Sequence, residues 1–289
     1  MWESPSFTEI KKLRMGLRKL SSENLGGSYR SVFRGQGQEF EKVREYIIGD
    51  DVRHIDWNVT ARTGEPHLKV FREERNLTLQ LVVDISKSQC FGSNQVTKSS
   101  IAAELAASLA WIATHSQDQI GLSVFSDHVE ESLRPQRGKN HIAKVIQLLK
   151  KHQSNGRQTN LAVAIDHTMQ LCKKHSLIFI ISDFECSDYE QKLRHISQKH
   201  DVVCCHTYDP GEAGILPQGY LHMQDAEKET PFFWPAISHT PILKEAFTQN
   251  MQRTEQMIRQ CGSDYLALST TDSVMRKLTQ FIHERGKVR

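Results

Sequence analysis

From about residue 77 onward, short apolar runs alternate with longer amphipathic segments, and this alternation limits the possible folds of the 289-residue chain more than any other feature. The runs at 77–83 and 177–182 are typical of buried strands, whereas residues 96–115 carry apolar side chains at helical spacing. Strands that alternate with helices favour a mostly parallel sheet with helices on both faces. We therefore predict an α/β fold, a doubly wound and mostly parallel sheet over residues 77–289, preceded by an N-terminal extension over residues 1–76.

The individual elements follow from the same periodicities and from the turn and cap residues between them. The predicted strands are 77–83, 119–126, 129–133, 177–182, 202–208, 220–223 and 264–268. The predicted helices are 96–115, 140–151, 161–174, 188–199, 242–261 and 272–284. We interpret residues 232–235 (F-F-W-P) as an apolar patch in a loop and Ser126-Asp127-His128 as a turn between two strands.

Short oxygen-bearing side chains follow two of the predicted strands. The first strand runs into Asp84, Ser86 and Ser88, Thr159 comes just before a predicted helix, and Asp183 follows the strand 177–182. In open α/β sheets, ligands bind outside the carboxyl ends of the strands where the strand order reverses, so neighbouring strands would bring the two acids together. Hydroxyl and carboxylate oxygens suit Mg²⁺ or Mn²⁺. The alternative is that the Asp84–Ser88 segment only caps the structure that follows it.

Composition excludes several other classes of protein. A net charge of +3 with scattered Lys and Arg argues against nucleic-acid binding, and no apolar run approaches the ~20 residues needed to span a bilayer. The first residues lack a basic segment followed by an apolar one, so we expect no cleaved export signal. The six cysteines form no C-x-x-C pair and the 14 histidines have no zinc-like spacing. We expect reduced, buried thiols and a cytoplasmic location.

The N-terminal extension has three parts: an amphipathic helix predicted over residues 1–20, a Gly- and Ser-rich stretch over 21–37, and a charged, aromatic segment over 40–75. The densest cluster in that last segment comprises Asp50, Asp51, Arg53, His54, Asp56, Trp57 and Arg62. One interpretation is a buried ion-pair and capping network with Trp57 as a packing anchor. A second is a recognition surface, and a third is catalysis with His54 as a general base oriented by Asp50 or Asp56.

These motifs together resemble known families. The region from Asp84 to Asp183 resembles a von Willebrand factor A domain, whose metal site combines D-x-S-x-S with a loop threonine and a loop aspartate. Upstream, the segments G-Q-E-F (37–40), R-E-Y (44–46), G-D-D-V-R-H-I-D-W-N-V-T-A-R (49–62) and F-R-E-E (71–74) resemble the signature of the bacterial family called domain of unknown function 58. The resemblance extends from about residue 28 to residue 268.

The resemblance implies an adaptor or chaperone-like partner of a MoxR-type AAA+ ATPase. Many members carry membrane helices ahead of the signature, and this chain shows none. We therefore expect a metal-dependent protein-interaction module rather than an enzyme, in which a bound Mg²⁺ or Mn²⁺ coordinates a carboxylate of the partner. The alternative is a metal-dependent hydrolase of phosphoesters.

Overall fold

The computed structural model describes residues 38–47, 50–73, 77–151, 158–213, 220–224, 231–235 and 240–288. The chain separates into two compact units, one within Arg34–Leu77 and one that includes Thr78–Arg289. The boundary before Thr78 thus lies one residue after the predicted domain start at residue 77. The helix predicted over residues 1–20 and the Gly- and Ser-rich stretch lie outside the described residues.

The smaller unit is an antiparallel strand pair with a short helix between its strands. Strand β1 (Gln38–Glu45) pairs with β2 (His67–Glu73), and helix α1 (Trp57–Thr63) lies between them in sequence. The Asp56 carboxylate caps α1 by accepting the backbone N–H groups of its first turn, and Gly64 ends the helix at a φ of 82°. The Asp56 cap and the terminal glycine therefore define the two ends of α1.

The larger unit contains eight strands and six helices among its described residues. The elements are β3 (Thr78–Asp84), α2 (Lys98–His115), β4 (Gln119–Phe125), β5 (Val129–Gln136), α3 (Lys139–Lys151), α4 (Leu161–Leu171), β6 (Leu177–Ser182), α5 (Glu190–Ser197), β7 (Asp201–Tyr208), β8 (Tyr220–Gln224), β9 (Pro231–Pro235), α6 (Thr240–Gln260), β10 (Asp264–Ser269) and α7 (Val274–Val288).

Six of these strands form the central sheet in the order β10-β7-β6-β3-β4-β5, and only β5 is antiparallel to its neighbour. Every residue of β6 is buried, as expected for a strand covered on both faces. Helices α4, α5 and α6 contribute to the core on one face, while α2 packs with α3 and α7. The predicted α/β fold with a mostly parallel sheet is confirmed, and the architecture is consistent with a von Willebrand factor A-like domain.

The strand order reverses between β3 and β6. The chain leaves β3 towards β4 on one side, and it leaves β6 towards β7 on the other. Strands β3 and β6 are direct parallel neighbours, with Leu79 opposite Leu177 and Val83 opposite Ile181. The crevice that such a reversal creates lies outside the carboxyl ends of these two strands.

Strands β8 and β9 form a separate two-stranded antiparallel sheet. The loop predicted for residues 232–235 is therefore wrong, because these residues lie within β9. The prolines that suggested a loop, Pro231 and Pro235, are the first and last residues of the strand, where a missing N–H is tolerated.

A buried polar contact crosses the sheet from β3 to β5. The Gln80 side chain is fully buried, and its Nε2 donates to Ser123 Oγ at 3.1 Å, which in turn lies 3.1 Å from Ser132 Oγ. Gly121 leaves room for it, since a Cβ there would lie 2.1 Å from Gln80 Oε1. One strand of the core thus carries an amide between apolar neighbours.

All six cysteines are free thiols. Cys204 and Cys205 are fully buried on β7, which agrees with the expected reduced state, but Cys90 is exposed and departs from the expectation of buried thiols. Among the residues that the structure describes, no helix combines the length and apolarity required to cross a membrane.

Candidate metal-binding site

Asp84 is the last residue of β3 and is fully buried. The next residue is held to the neighbouring strand, because the Ile85 N–H donates to the Phe125 carbonyl at 2.8 Å. Asp84 Oδ1 accepts the Ser86 N–H at 2.8 Å, and Oδ2 accepts the Ser182 hydroxyl at 2.6 Å. The carboxylate is therefore fixed between the ends of β3 and β6.

Ser86 and Ser88 lie on the tight turn that follows β3. Ser86 precedes the 3₁₀ turn Lys87–Cys90 but its side chain makes no capping hydrogen bond, so the alternative of a simple cap does not describe this hydroxyl. The Oγ atoms of Ser86 and Ser88 are 3.0 Å apart. Adjacent ligands of an octahedral Mg²⁺ with bonds of 2.0–2.1 Å are separated by about 2.9 Å. The two hydroxyls thus have the spacing of neighbouring ligands.

Asp183 follows β6 directly and is 3% exposed. It begins a constrained loop, because Phe184 has a φ of 55° and its N–H donates to Ser182 Oγ. The Ser182 hydroxyl therefore connects the backbone beside Asp183 to the Asp84 carboxylate. The Ser88 hydroxyl also donates to the Asp183 carboxylate. Asp84, Ser86, Ser88 and Asp183 form one connected group, which we call the acid–serine cluster.

Thr159 does not join this hydrogen-bonded group among the described residues. It is half-buried and precedes Asn160, the residue that caps α4 by accepting the Val163 N–H. The Asn160 N–H donates to the Ser126 carbonyl at 2.7 Å, just beyond the end of β4. Thr159 thus lies at the same edge of the sheet as the acid–serine cluster, beside the neighbouring strand.

A buried lysine that we did not predict contacts this cluster. Lys98, the first residue of α2, is 1% exposed, and its Nζ lies 2.9 Å from Asp183 Oδ2 and 2.6 Å from Glu212 Oε1. Its backbone N–H donates to the Phe91 carbonyl. Gly92 permits this tight return of the chain, since a Cβ there would lie 2.2 Å from the Val96 carbonyl oxygen. The segment after β3 therefore places Ser86, Ser88 and Lys98 beside the two acids.

Burial and charge act differently on the two acids. Burial and the nearby charge of Asp183 raise the pKa of Asp84 to about 7. Burial also opposes ionisation of Asp183, but the Lys98 ammonium and the Ser88 hydroxyl outweigh it and hold the pKa of Asp183 below its ordinary value. Asp183 is thus the ionised acid of the pair at neutral pH. A bound cation would favour the ionised form of Asp84.

His206 is a buried imidazole beside the Asp183 loop. It lies on β7, its Nδ1 is 2.9 Å from the Tyr265 hydroxyl, and it also hydrogen-bonds the Asp183 backbone. Its ring packs edge-on against Phe184 and Tyr208. Burial lowers the pKa of His206 to about 4, so the ring is neutral at pH 7 and supports the Asp183 loop without adding charge.

The chemistry of this donor set is that of a site for a hard cation. Two carboxylates and two hydroxyls converge where the strand order reverses, and all four groups offer oxygen. The Ser86 and Ser88 hydroxyls are neutral, so they add no negative charge to that of the two carboxylates.

A second group of potential ligands lies on the β4–β5 hairpin. The ligand atoms of Asp127, His128 and Glu130 lie within 4.8 Å of one another, and the Ser126 hydroxyl donates to both carboxylates. The His128 ring is 2.6 Å from Asp127 Oδ1, and hydrogen bonding to Asp127 raises the pKa of His128. The group is therefore held together by contacts among its own side chains. The predicted turn at Ser126-Asp127-His128 is confirmed by the hairpin.

The charged cluster of the smaller unit forms local ion pairs and caps. Arg44 makes a bidentate pair with Asp50 at 2.7 Å, and Arg53 pairs with Asp51. The predicted network is present, but it is not buried, because these side chains are 23–85% exposed.

Both acids that the catalytic interpretation places beside His54 have structural contacts. Asp50 is engaged by Arg44, and Asp56 is engaged by the N-terminus of α1 and lies 3.7 Å from Lys69 Nζ. Each of these acids therefore stabilises the local structure of the smaller unit.

The prediction of Trp57 as a packing anchor is wrong. Trp57 is the first residue of α1 and is 69% exposed. The contact to β2 comes instead from later in the helix, where the Thr60 hydroxyl accepts the His67 N–H. Arg62, in the last turn of α1, is also exposed and lies where a cation complements the helix dipole.

Sequence reasoning missed four residues around the acid–serine cluster: Ser182, Lys98, Glu212 and His206. Only Ser182 has a local signal, as the polar end of an apolar strand directly before Asp183. Lys98 and Glu212 are 114 residues apart in sequence, and a lysine at the start of a helix is ordinarily exposed.

Several known proteins are similar to this chain. Uncharacterized proteins of Mycobacterium tuberculosis and Mycobacterium bovis are each 27% identical over 285 residues, which covers 96% of this chain and 89% of the relative. Among solved structures, the conserved hypothetical protein BatB from Bacteroides thetaiotaomicron matches with a TM-score of 0.52 and 17% identity, covering 73% of this chain and 100% of that one. An aerotolerance-related membrane protein from Bacteroides fragilis matches with a TM-score of 0.51 and 15% identity, covering 74% and 100%.

The two structural similarities show a shared fold. The sequence itself identifies the family, since residues 42–257 match the family described as "Protein of unknown function DUF58". This match begins within β1 and ends within α6. The chain therefore belongs to the DUF58 family.

Proposed function

We propose that this protein is a metal-dependent protein-interaction module. An Mg²⁺ or Mn²⁺ held by Asp84, Ser86, Ser88, Thr159 and Asp183 would coordinate an Asp or Glu carboxylate of a partner protein, and the module would act by binding rather than as an enzyme. The observation that carries the proposal is the 3.0 Å separation of the Ser86 and Ser88 hydroxyls beside two buried acids.

The proposed partner rests on the family resemblance. DUF58 proteins resemble components that work with MoxR-type AAA+ ATPases, so we propose an adaptor or chaperone-like role with such an ATPase. Neutral serine ligands support this role, because they leave the ion electrophilic enough to accept a partner carboxylate.

Calorimetric titration of the purified protein with Mg²⁺ and Mn²⁺ tests the ion site. Ser88→Ala removes one ligand, and we expect the affinity to fall roughly ten-fold or more. Ser108→Ala is the matched control, because Ser108 is a buried serine whose hydroxyl donates to the Glu104 carbonyl within α2. Equal ion affinity in wild type and Ser88→Ala would contradict the proposed ligand set.

Binding to a purified MoxR-type ATPase tests the partner. We expect association in Mg²⁺ that is lost in chelator and in Ser88→Ala but retained in Ser108→Ala. Association of equal strength with and without the ion would refute the metal bridge. Turnover of a generic phosphoester that disappears in Asp183→Ala would instead favour the alternative, a metal-dependent hydrolase.

A further inference from the structure

Lys98 lies at a position where the helix dipole disfavours a positive charge. It is the first residue of α2, whereas the partial positive charge of a helix N-terminus disfavours a cation. Its ammonium is also 1% exposed, so it has lost nearly all of its contact with water. The positive charge of Lys98 is therefore stabilised by the neighbouring carboxylates and not by the helix or by water.

The two carboxylates that hold Lys98 differ in their surroundings. Asp183 belongs to the acid–serine cluster and its side chain is 2% exposed, whereas the Glu212 side chain is 20% exposed. Glu212 is fixed by its other oxygen, Oε2, which accepts the Asp209 N–H at 2.9 Å. Lys98 thus lies between a proposed metal ligand and a second, independently anchored acid.

A divalent ion at the acid–serine cluster and the Lys98 ammonium would both contact the Asp183 carboxylate. Lys98 Nζ already lies 2.9 Å from Asp183 Oδ2, so the ion and the ammonium would share one carboxylate in a site with little water to screen their repulsion. Glu212 Oε1, 2.6 Å from the same Nζ, offers the ammonium a partner that does not belong to the ligand set.

We infer that Lys98 is an internal competitor of the divalent ion, that it neutralises Asp183 when the ion is absent, and that Glu212 retains the ammonium when the ion binds. This inference rests on the proposed metal site and adds what sets its affinity. It assigns opposite effects to the two partners of one ion pair. Removing Lys98 strengthens ion binding, and removing the charge of Glu212 weakens it.

The test is titration of Mg²⁺ and Mn²⁺ into metal-free wild type, Lys98→Met and Glu212→Gln. We expect Lys98→Met to bind the ion tighter by on the order of ten-fold or more, because a like charge beside the ion is removed. We expect Glu212→Gln to bind several-fold more weakly. Lys192→Met is the matched control, since Lys192 forms an exposed ion pair with Asp166. The affinity of this variant for the ion should equal that of wild type.

Thermal unfolding in chelator provides a second readout. Metal-free Lys98→Met should melt at a lower temperature than wild type, because two buried acids then face each other without a counter-ion, and added Mn²⁺ should stabilise it more than it stabilises wild type. If this variant does not fold without metal, Glu212→Gln keeps Lys98 in place and still tests the sign of the effect.

The outcomes separate this inference from the metal site itself. Equal or weaker ion binding by Lys98→Met, with wild type still binding, overturns the role of Lys98 and leaves the metal site standing. Ion binding by Lys98→Met alone supports the competition. Failure of wild type and of both variants to bind either ion overturns the metal site and the inference together.

Discussion

Three neighbouring side chains at the carboxyl edge of the sheet have different charges. The His206 ring is neutral, the Asp183 carboxylate is ionised, and the Lys98 ammonium lies beside that carboxylate. Each state depends on burial and on one or two named contacts. Single substitutions here therefore change charge balance as well as packing.

His206 should make the protein sensitive to acid. Its pKa in the folded protein is about 4, against an ordinary value of 6.5, so between these values the unfolded chain takes up a proton that the folded chain does not. The free energy of unfolding therefore falls as the pH is lowered. Between pH 7.5 and 5 this group alone should cost about 2 kcal/mol.

Denaturant unfolding of wild type and His206→Gln at both pH values measures this contribution. Asp84 acts in the opposite sense, because its pKa is raised to about 7 and its protonation in the folded state stabilises the protein as the pH falls. The difference between wild type and His206→Gln cancels that effect. A difference that stays constant from pH 7.5 to 5 would contradict a neutral His206.

At the scale of elements, the loops at the carboxyl edge are held by specific backbone contacts. The Asp84 loop is bonded to the end of β4, and so is the Asn160 cap that precedes α4. The Asp183 loop is held through Ser182. The strands thus position the loops, and the loops position the ligands.

Asn160 should control both helix stability and ion binding. Asn160→Ala removes the acceptor for the Val163 N–H, and we expect a loss of about 1 kcal/mol in the free energy of unfolding. Because Thr159 is the adjacent residue, we also expect Mg²⁺ affinity to fall. Asn160→Asp keeps a capping oxygen and is the matched control. Unchanged Mg²⁺ affinity in Asn160→Ala would remove Thr159 from the proposed ligand set.

On the scale of the whole molecule, the two edges of the sheet have different roles. The carboxyl edge carries the acid–serine cluster, whereas the amino edge carries an ion pair from the last helix. Arg285 of α7 is 5% exposed and pairs with Asp201 at the start of β7 and, at 3.0 Å, with Asp264 at the start of β10.

Arg285→Met should therefore separate stability from binding. It removes the cation that pairs with Asp201 and Asp264, and we expect the free energy of unfolding to fall by about 3 kcal/mol. Mg²⁺ affinity should not change, because the substitution lies at the opposite edge of the sheet. Arg259→Met, which removes an exposed pair with Glu255 on α6, should cost less than about 1 kcal/mol. Loss of ion binding in Arg285→Met would contradict this separation.

Most of the central sheet could be predicted because its strands are short apolar runs and its helices have clear periodicity. The predicted strand at 177–182 agrees with β6 at both ends, and the helix predicted at 140–151 differs from α3 by one residue. Strands β1 and β2 were not predicted, since their charged residues obscure the alternation of an antiparallel pair.

The candidate site was predictable only where its residues follow strands. Asp84 and Asp183 could be brought together from the topology of a parallel sheet, because both occur at strand ends. Lys98 could not, since its burial depends on the return of the chain at Gly92 and on Glu212, far away in sequence. Pairing between distant charges leaves no periodic pattern to read.

The buried amide of β3 bears on how the strands find their partners. A slip of one residue between strands would turn Gln80 or Ser123 to the opposite face and break their hydrogen bond. An all-apolar strand would pack almost as well after such a slip, whereas this one would bury an amide donor without an acceptor. The polar contact thus penalises misaligned pairings and favours a single alignment of the central strands during folding.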